Sequence, residues 1–229
     1  MKNATFFKIY IAFSVLYLIV LFLGYQNLDL FLKPVLIPLL GFGVYFHPRF
    51  PFRNNLLAGL FFSWIGDIIL LFADIGEIYF IMALVAFLIA HLAYCALFNK
   101  QNTGEMHLNK IVFGIGSIII ALYFIGMVCF LMPNLGTLKI PVIVYACVIS
   151  IMLLFAFNGY LIWKKRAALL ILLGALVFVL SDSILAINKF SKPIEKSSFF
   201  IMLTYLVAQY LIVIGVLKLN PKKTIISNF

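Results

Sequence analysis

Two aspartates inside apolar stretches are the residues of this sequence best suited to chemistry. Asp67 lies in the run FFSWIGDIILLF at 61–72, and Asp182 lies in the run FVLSDSILAI at 178–187. A carboxylate within a bilayer costs about 2.5–3.5 kcal/mol, so it needs a proton, a partner or a wet cavity. Burial favours the neutral carboxyl and a nearby cation favours the ionised one. Two such groups in different surroundings predict an acid and a base, which suits opening of an ether through an oxocarbenium ion.

Further polar side chains within or at the ends of the apolar runs are expected to line the same cavity as the two catalytic aspartates. They are Lys33, His91, Tyr94, Tyr145, Ser181, Tyr205 and Gln209. Tyr94 lies three residues after His91, and Gln209 lies one turn after Tyr205, so each pair shares a helix face.

Structural alternatives exist for the same residues. Either aspartate could hold the bundle together through a hydrogen bond to a neighbouring helix, and His91 could do the same. Lys33 and Lys139 could simply extend to the lipid headgroups. An acid within the membrane is nevertheless a functional hypothesis by default.

The sequence lacks the residues that several other kinds of active site require. His47 and His107 fall in loops, which leaves His91 alone and excludes a membrane zinc site of three histidines. The sequence has no G-x-S-x-G nucleophile motif and no Walker loop. The three cysteines lie inside apolar runs without disulfide or metal spacing, at Cys95, Cys129 and Cys147. We therefore expect no metal and no organic cofactor.

Composition predicts the elements that must position these residues. The chain has 229 residues, of which 66% are hydrophobic and 10% are charged. A bilayer core of about 30 Å needs about 20 apolar residues per helix, and helices satisfy their own backbone in lipid. The sequence predicts an all-α membrane protein, a single transmembrane domain of eight helices. The net charge is +10, but the basic residues lie between the apolar runs rather than on one face, which excludes nucleic-acid binding.

The eight spans are expected at about 6–23, 30–46, 55–73, 78–98, 111–131, 139–163, 167–187 and 198–217. The first run is long and has no small-residue cleavage site, so it predicts a span rather than a signal peptide. With these bounds, Asp67 lies about 18 Å and Asp182 about 22 Å from the side of the termini. Both carboxyl groups are then expected in the opposite half of the bilayer, at similar depth.

The distribution of basic residues predicts the orientation of the bundle. Of the 17 lysines and arginines, five fall on the side away from the termini: Lys33, Lys139, Lys189, Lys192 and Lys196. The others fall on the side of the termini: Lys2, Lys8, Arg49, Arg53, Lys100, Lys110, Lys164, Lys165, Arg166, Lys218, Lys222 and Lys223. Positive charge concentrates on the cytoplasmic side. The chain is thus expected in a bacterial cytoplasmic membrane with both termini in the cytoplasm.

Short matches four helices apart suggest internal duplication. They pair Lys33-Pro34 with Lys139-Ile140-Pro141, Gly66-Asp67 with Ser181-Asp182, and Ala90-His91 with Ala208-Gln209. An even offset predicts two parallel four-helix repeats. Chance similarity between apolar segments is the alternative.

An ordered set of motifs resembles the YhhN family of integral membrane proteins, which includes the lysoplasmalogenases. The motifs are Lys33-Pro34, SWIGD at 63–67, FLIAHLAY at 87–94, Pro141-Val142 with Tyr145, Gly174-Ala175 with Phe178, SDSILA at 181–186, and Tyr205 with Ala208-Gln209. The resemblance implies an eight-helix enzyme that hydrolyses the vinyl ether of lysoplasmalogens. The implied products are a fatty aldehyde and glycerophospho-ethanolamine or -choline.

The hypothesis from the sequence is therefore a membrane hydrolase in which one of Asp67 and Asp182 is the acid and the other the base. Its expected partners are a lysophospholipid substrate and membrane lipids, without an obligate protein partner. A proton-coupled transporter is the first alternative, because carriers also use acids within the membrane. A lipid-binding membrane protein without catalysis is the second.

Overall fold

The computed structural model describes residues 2–101, 109–163 and 166–220, and within these ranges its regular elements are helices. The α-helices are α1 (Lys2–Phe22), α2 (Asp29–Tyr45), α3 (Arg53–Leu70), α4 (Glu77–Gln101), α5 (Lys110–Leu131), α6 (Lys139–Trp163), α7 (Arg166–Phe190) and α8 (Ser197–Leu219). The predicted all-α class is confirmed. Some residues named above lie outside the described residues: His107, Lys164, Lys165, Lys222 and Lys223.

Six helical stretches are long and apolar enough to cross a membrane. They are Ala4–Phe22, Glu77–Gln101, Lys110–Asn134, Gly136–Trp163, Arg166–Phe190 and Ser197–Leu219. Such a pattern is that of an integral multi-pass membrane protein. The remaining two helices, α2 and α3, have 17 and 18 residues and carry polar groups that include Lys33 and Asp67.

Several helix ends differ from the sequence prediction, and those of α3 and α7 bear on the aspartates. α3 ends at Leu70 rather than at residue 73, because the amides of 71–73 turn to carbonyls three residues earlier. α7 continues to Phe190 rather than stopping at residue 187. The polar residues 188 and 189 do not break the helix, whereas Pro193 prevents its continuation. Asp67 thus lies one turn from the end of its helix, and Asp182 lies about 12 Å from the end of α7.

A tryptophan side chain links α3 to α2 close to Lys33 and Asp67. Pro38 has no amide hydrogen, so the Pro34 carbonyl lacks its usual partner within α2. The indole Nε1 of Trp64 donates to this carbonyl at 2.8 Å. Lys33 precedes Pro34, and Asp67 lies one turn after Trp64. The bond therefore fixes the two helices where the lysine and the aspartate meet.

Neighbouring helices pack in chain order with one exception. α4 packs mainly against α3 and α6, while α5 lies outside and contacts chiefly α6, and α8 returns to α1. α7 and α8 approach especially closely. A Cβ built on Gly174 would lie 3.1 Å from the Ala208 carbonyl oxygen, and one on Gly215 would lie 3.0 Å from that of Ala167. Small residues thereby bring the helices that carry Asp182 and Tyr205 together.

Candidate active site

The first carboxyl group is held by a tyrosine and a lysine from two other helices. Asp67 is 3% exposed, and the Tyr205 hydroxyl of α8 donates to its Oδ2 at 2.7 Å. Lys33 of α2 is also buried, and its Nζ lies 4.0 Å from Asp67 Oδ1. An ammonium this close offsets part of the cost of burying a charged carboxylate.

The second carboxyl group has different surroundings. Asp182 is half-buried, and the Tyr145 hydroxyl of α6 donates to its Oδ2 at 2.5 Å. His91 of α4 faces the same oxygen, with Nε2 at 3.9 Å. No lysine or arginine of the described ranges forms an ion pair with Asp182. The pair of acids therefore has one member beside a lysine and one member beside a histidine.

A hydrogen bond to the backbone determines the tautomer of the His91 imidazole. Its Nδ1 lies 2.7 Å from the Phe87 carbonyl oxygen, which can only accept, so Nδ1 carries the hydrogen. In the neutral ring Nε2 is then an acceptor, and it is buried without a hydrogen-bond partner. This acceptor lies 3.9 Å from Asp182 Oδ2, which is beyond direct hydrogen-bond distance.

One phenylalanine lies between the two groups. The Phe178 ring contacts His91 edge-to-face at a centroid distance of 4.7 Å and Tyr205 at 5.5 Å. His91 faces Asp182 and Tyr205 bonds Asp67, so Phe178 contacts a neighbour of each carboxyl group. The two aspartates therefore belong to one interior region of the bundle and do not face lipid on opposite flanks.

Three residues expected in the cavity have other partners. The Tyr94 hydroxyl donates to Gln209 Oε1 at 2.7 Å, and Gln209 Nε2 donates to Ser63 Oγ at 3.0 Å. The Ser181 hydroxyl donates to the Ile201 carbonyl at 2.9 Å. None of these three bonds involves a carboxylate. They join α3, α4, α7 and α8 and thereby hold together the helices that carry the two aspartates.

An apolar groove opens next to Asp182, between α4, α5, α6 and α7. Its lining is mostly aromatic and aliphatic and includes Phe80, Phe87, Phe124, Met127, Val142 and Tyr145. Asp182 and Ser183 are polar residues of this wall. The groove has the chemistry of a site for a hydrocarbon chain.

A polar cavity of about 440 Å³ lies at the end of the bundle away from the termini. Charged and polar side chains from the loops and helix ends line it: Asn27, Asp29, Lys33, Asp74, Asn188, Lys189, Ser197 and Ser198. The groove and the polar cavity share a wall of Leu70, Phe80 and Leu185.

Each aspartate lies one helical turn from a leucine of the shared wall. Leu70 follows Asp67 by three residues on α3, and Leu185 follows Asp182 by three residues on α7. Residues three apart lie on one helix face, about 4.5 Å apart along the axis. Asp182 itself lines the groove, whereas Asp67 is part of neither lining and is connected to the polar cavity through Lys33, which lines it.

Sequence reasoning missed some of these residues. Ser63 precedes Asp67 by one turn, so the shared face was a usable signal. Asp29, Asp74 and Lys189 lie at helix ends or in loops, where charges usually face water. Only their convergence in three dimensions marks them as a lining. Lys139, by contrast, is exposed, as its interpretation as a headgroup-facing lysine predicts.

Comparison with known proteins agrees with the motif pattern. The YhhN family model matches residues 28–216. The lysoplasmalogenase TMEM86A of Bos taurus is 32% identical over 185 residues, which cover 77% of this chain and 71% of the relative. The human protein of the same name is 31% identical over 184 residues, with the same coverage. No solved structure matches the chain. Since the family match spans most of the sequence, the chain belongs to the YhhN family.

Proposed function

We propose that this protein hydrolyses the vinyl ether bond of lysoplasmalogens. The observation that carries the proposal is that Asp182 lines the apolar groove while Lys33, the partner of Asp67, lines the adjoining polar cavity. A lysoplasmalogen is an amphiphile whose vinyl ether joins its hydrocarbon chain to its polar part. With the chain in the groove and the headgroup in the cavity, that bond lies beside the acids. Relatives named lysoplasmalogenase support the same substrate class.

Asp182 is assigned as the general acid and Asp67 as the general base. Asp182 borders the groove, where it can reach a bound hydrocarbon chain, and no lysine or arginine of the described ranges pairs with it. In the proposed reaction it protonates the β-carbon of the vinyl ether, which leaves an oxocarbenium ion and an Asp182 carboxylate that the Tyr145 hydroxyl stabilises. Asp67 is proposed to start as the carboxylate, because the Lys33 ammonium lies 4.0 Å from its Oδ1.

Water then completes the reaction. Asp67 takes one proton from water while the oxygen bonds to the oxocarbenium carbon, which gives a hemiacetal. As the bond between the hemiacetal carbon and the glycerol oxygen breaks, the hemiacetal hydroxyl gives its proton to Asp182. Protonated Asp67 gives its proton to the departing glycerol oxygen. The products are a fatty aldehyde and the glycerophospho compound, and both acids regain their starting states.

The topology proposed with this function has eight spans. α2 and α3 are about 26 and 27 Å long and pack against other helices of the bundle, which shields their polar groups from lipid. The asymmetry of lysines and arginines then places both termini in the cytoplasm. The polar cavity opens on the opposite side, where the lipid headgroups lie.

The direct test is release of aldehyde by the purified full-length chain in detergent. We expect cleavage of 1-alkenyl lysophosphocholine or lysophosphoethanolamine, and no cleavage of the 1-alkyl analogue, which cannot form the oxocarbenium ion by protonation. A carrier or a lipid-binding protein would release no aldehyde. Absence of aldehyde from every vinyl ether offered would refute the proposal.

Removing the hydroxyl that each carboxyl group accepts is expected to slow turnover. Tyr145→Phe and Tyr205→Phe each remove a bond to an aspartate but keep the ring. Hydrogen bonds to charged groups contribute about 1.5–3 kcal/mol, so kcat should fall about 10- to 100-fold. Tyr94→Phe is the matched control, since its hydroxyl bonds Gln209 instead. It should lower stability by about 1 kcal/mol and leave the kcat of folded protein within about twofold. A kcat loss as large in Tyr94→Phe would contradict the assignment.

A further inference from the structure

We propose that the bundle binds an anionic phospholipid of the surrounding membrane on the side of the termini. Its phosphate lies at Arg49 and Arg53, and one of its acyl chains lies between α2 and α3. The site consists of two adjoining spaces, which we call the arginine pocket and the α2–α3 groove. Neither space contains the two aspartates, so the inference does not depend on the proposed hydrolysis.

The arginine pocket supplies the charge. It has a volume of about 470 Å³ and is lined by Arg49, Phe50, Phe52, Arg53, Asn54 and Asn55. Among the described residues, neither arginine forms an ion pair with a carboxylate. The Lys100 ammonium lies 5.6 Å from the centre of the Phe52 ring and adds a third cation beside the pocket. Arginine is well suited to phosphate because its planar fork of N–H donors can bind two oxygens at once.

The acidic residues of the described ranges lie elsewhere. Asp67 and Asp182 lie within the bundle, and the others lie at the end away from the termini: Asp29, Asp74, Glu77 and Glu195. The remaining acid, Glu105, is outside the described residues. A ligand with a net negative charge therefore complements this pocket better than a zwitterion does.

The α2–α3 groove supplies the apolar surface. It has a volume of about 520 Å³ and is lined by Ile37, Pro38, Gly41, Phe42, Tyr45, Leu57, Leu60, Phe61 and Trp64. A Cβ added to Gly41 would meet nothing within 4 Å, so the missing side chain keeps the groove open. From Tyr45 to Ile37 the lining extends about 12 Å along α2. One leaflet of the hydrocarbon core is about 15 Å thick, so an acyl chain can lie along most of its depth in this groove.

Arg53 and Tyr45 join the two spaces. Arg53 lines the pocket, Tyr45 lines the groove, and the guanidinium Cζ lies 5.4 Å from the centre of the Tyr45 ring. One guanidinium nitrogen, Nη1, donates to the Tyr45 carbonyl at 3.3 Å. The charged space and the apolar space thus follow each other as headgroup and chain do in a phospholipid. Basic pockets between membrane helices on the cytoplasmic side are typical sites for anionic headgroups, and the proposed orientation puts the pocket on that side.

Fluorescence quenching at Trp64 tests the inference, because this residue lines the groove. The full-length chain with Trp163→Phe, which leaves Trp64 as its one tryptophan, is reconstituted in vesicles of phosphatidylcholine and phosphatidylglycerol. Bromine atoms on the acyl chains of one lipid at a time quench a tryptophan that they contact. We expect an association constant for phosphatidylglycerol about tenfold above that for phosphatidylcholine. Equal constants would overturn the inference.

Native mass spectrometry of the unsubstituted chain in detergent is the second measurement. With both lipids offered at equal concentration and equal acyl length, we expect the chain to retain phosphatidylglycerol about tenfold more than phosphatidylcholine. Soluble glycerol 3-phosphate at the same concentration should not displace the lipid, since it has no chain for the groove. Displacement would show that phosphate alone is recognised and would overturn the lipid site.

Charge variants locate the headgroup. Arg49→Gln with Arg53→Gln should bring the two lipids within about twofold of each other. Arg166→Gln with Lys218→Gln is the matched control, because it removes two exposed charges on the same side that lie outside both linings, and it should keep the preference. An equal loss in both double variants would mean that diffuse surface charge attracts the lipid, which overturns the site.

A glycine variant locates the acyl chain. Gly41→Leu fills the groove without meeting the protein at its Cβ and should lower the association constant for phosphatidylglycerol about tenfold. Gly126→Leu on α5 is the control, since a Cβ there also meets nothing within 4 Å and the residue lies outside the groove. Unchanged affinity in folded Gly41→Leu protein would exclude the chain from the groove and overturn the inference.

Discussion

Replacing Asp182 with asparagine is expected to lower turnover of a lysoplasmalogen by about 10³-fold, since general acids contribute on the order of 10²–10⁴-fold. Asparagine has nearly the same shape and still accepts the Tyr145 hydroxyl, but it has no acidic proton for the vinyl carbon. The measurement is aldehyde release per folded protein in detergent, with thermal unfolding as the check on structure.

Glu77→Gln provides the control for Asp182→Asn. It is also a carboxylate-to-amide change, but Glu77 accepts a bond from Thr137 and lies outside the linings of both the groove and the polar cavity. Its turnover should stay within about twofold of the wild type. Full activity in the Asp182→Asn variant would rule out Asp182 as the acid.

Asp67→Asn is expected to cost both activity and stability. Loss of the base should lower turnover by about 10²–10⁴-fold. Loss of the charge leaves the buried Lys33 ammonium without its counter-ion, and breaking a buried pair costs about 3–5 kcal/mol in the free energy of unfolding. Because Lys33 also borders the polar cavity, we expect a value at the lower end of this range. Thermal unfolding in detergent measures this loss.

A second substitution separates the two effects of Asp67→Asn. The double variant Lys33→Met with Asp67→Asn removes both charges and should regain most of the lost stability without regaining turnover. Recovery of aldehyde release in the double variant would show that Asp67 acts only through the fold. Failure to recover stability would instead show that the lysine and the aspartate do not form the pair on which the assignment of the base depends.

The two acids could be predicted from the sequence because the bilayer makes a carboxylate expensive wherever it is found. Asp67 and Asp182 each interrupt a run of aromatic and aliphatic residues, and that signal needs no tertiary information. The all-α class follows from the same physics, since composition alone requires helices. Helix ends are predicted less accurately, as α3 shows, because a tight turn and a helix differ by single hydrogen bonds.

Partners across the bundle could be predicted only in part. Tyr145 and Tyr205 meet the two acids, whereas Tyr94 and Gln209 meet each other. A shared helix face tells which residues point the same way but not which neighbour they reach. The polar cavity could not be predicted from the sequence for a related reason. Its charges come from the start of α2, from the connection between α3 and α4 and from the end of α7, and a lone lysine or aspartate at a helix end is usually solvated.

The peripheral position of α5 has a consequence for what leaves the site. This helix supplies Phe124, Met127 and Leu131 to one side of the groove, and Leu131 alone among its residues is buried. Under the proposed hydrolysis, a fatty aldehyde formed there would have a short lateral route past α5 into the surrounding lipid, while the glycerophospho product would leave through the polar mouth to water. The two products would then partition into different phases. An electrophile that reacts with soluble amines would be delivered directly to the membrane.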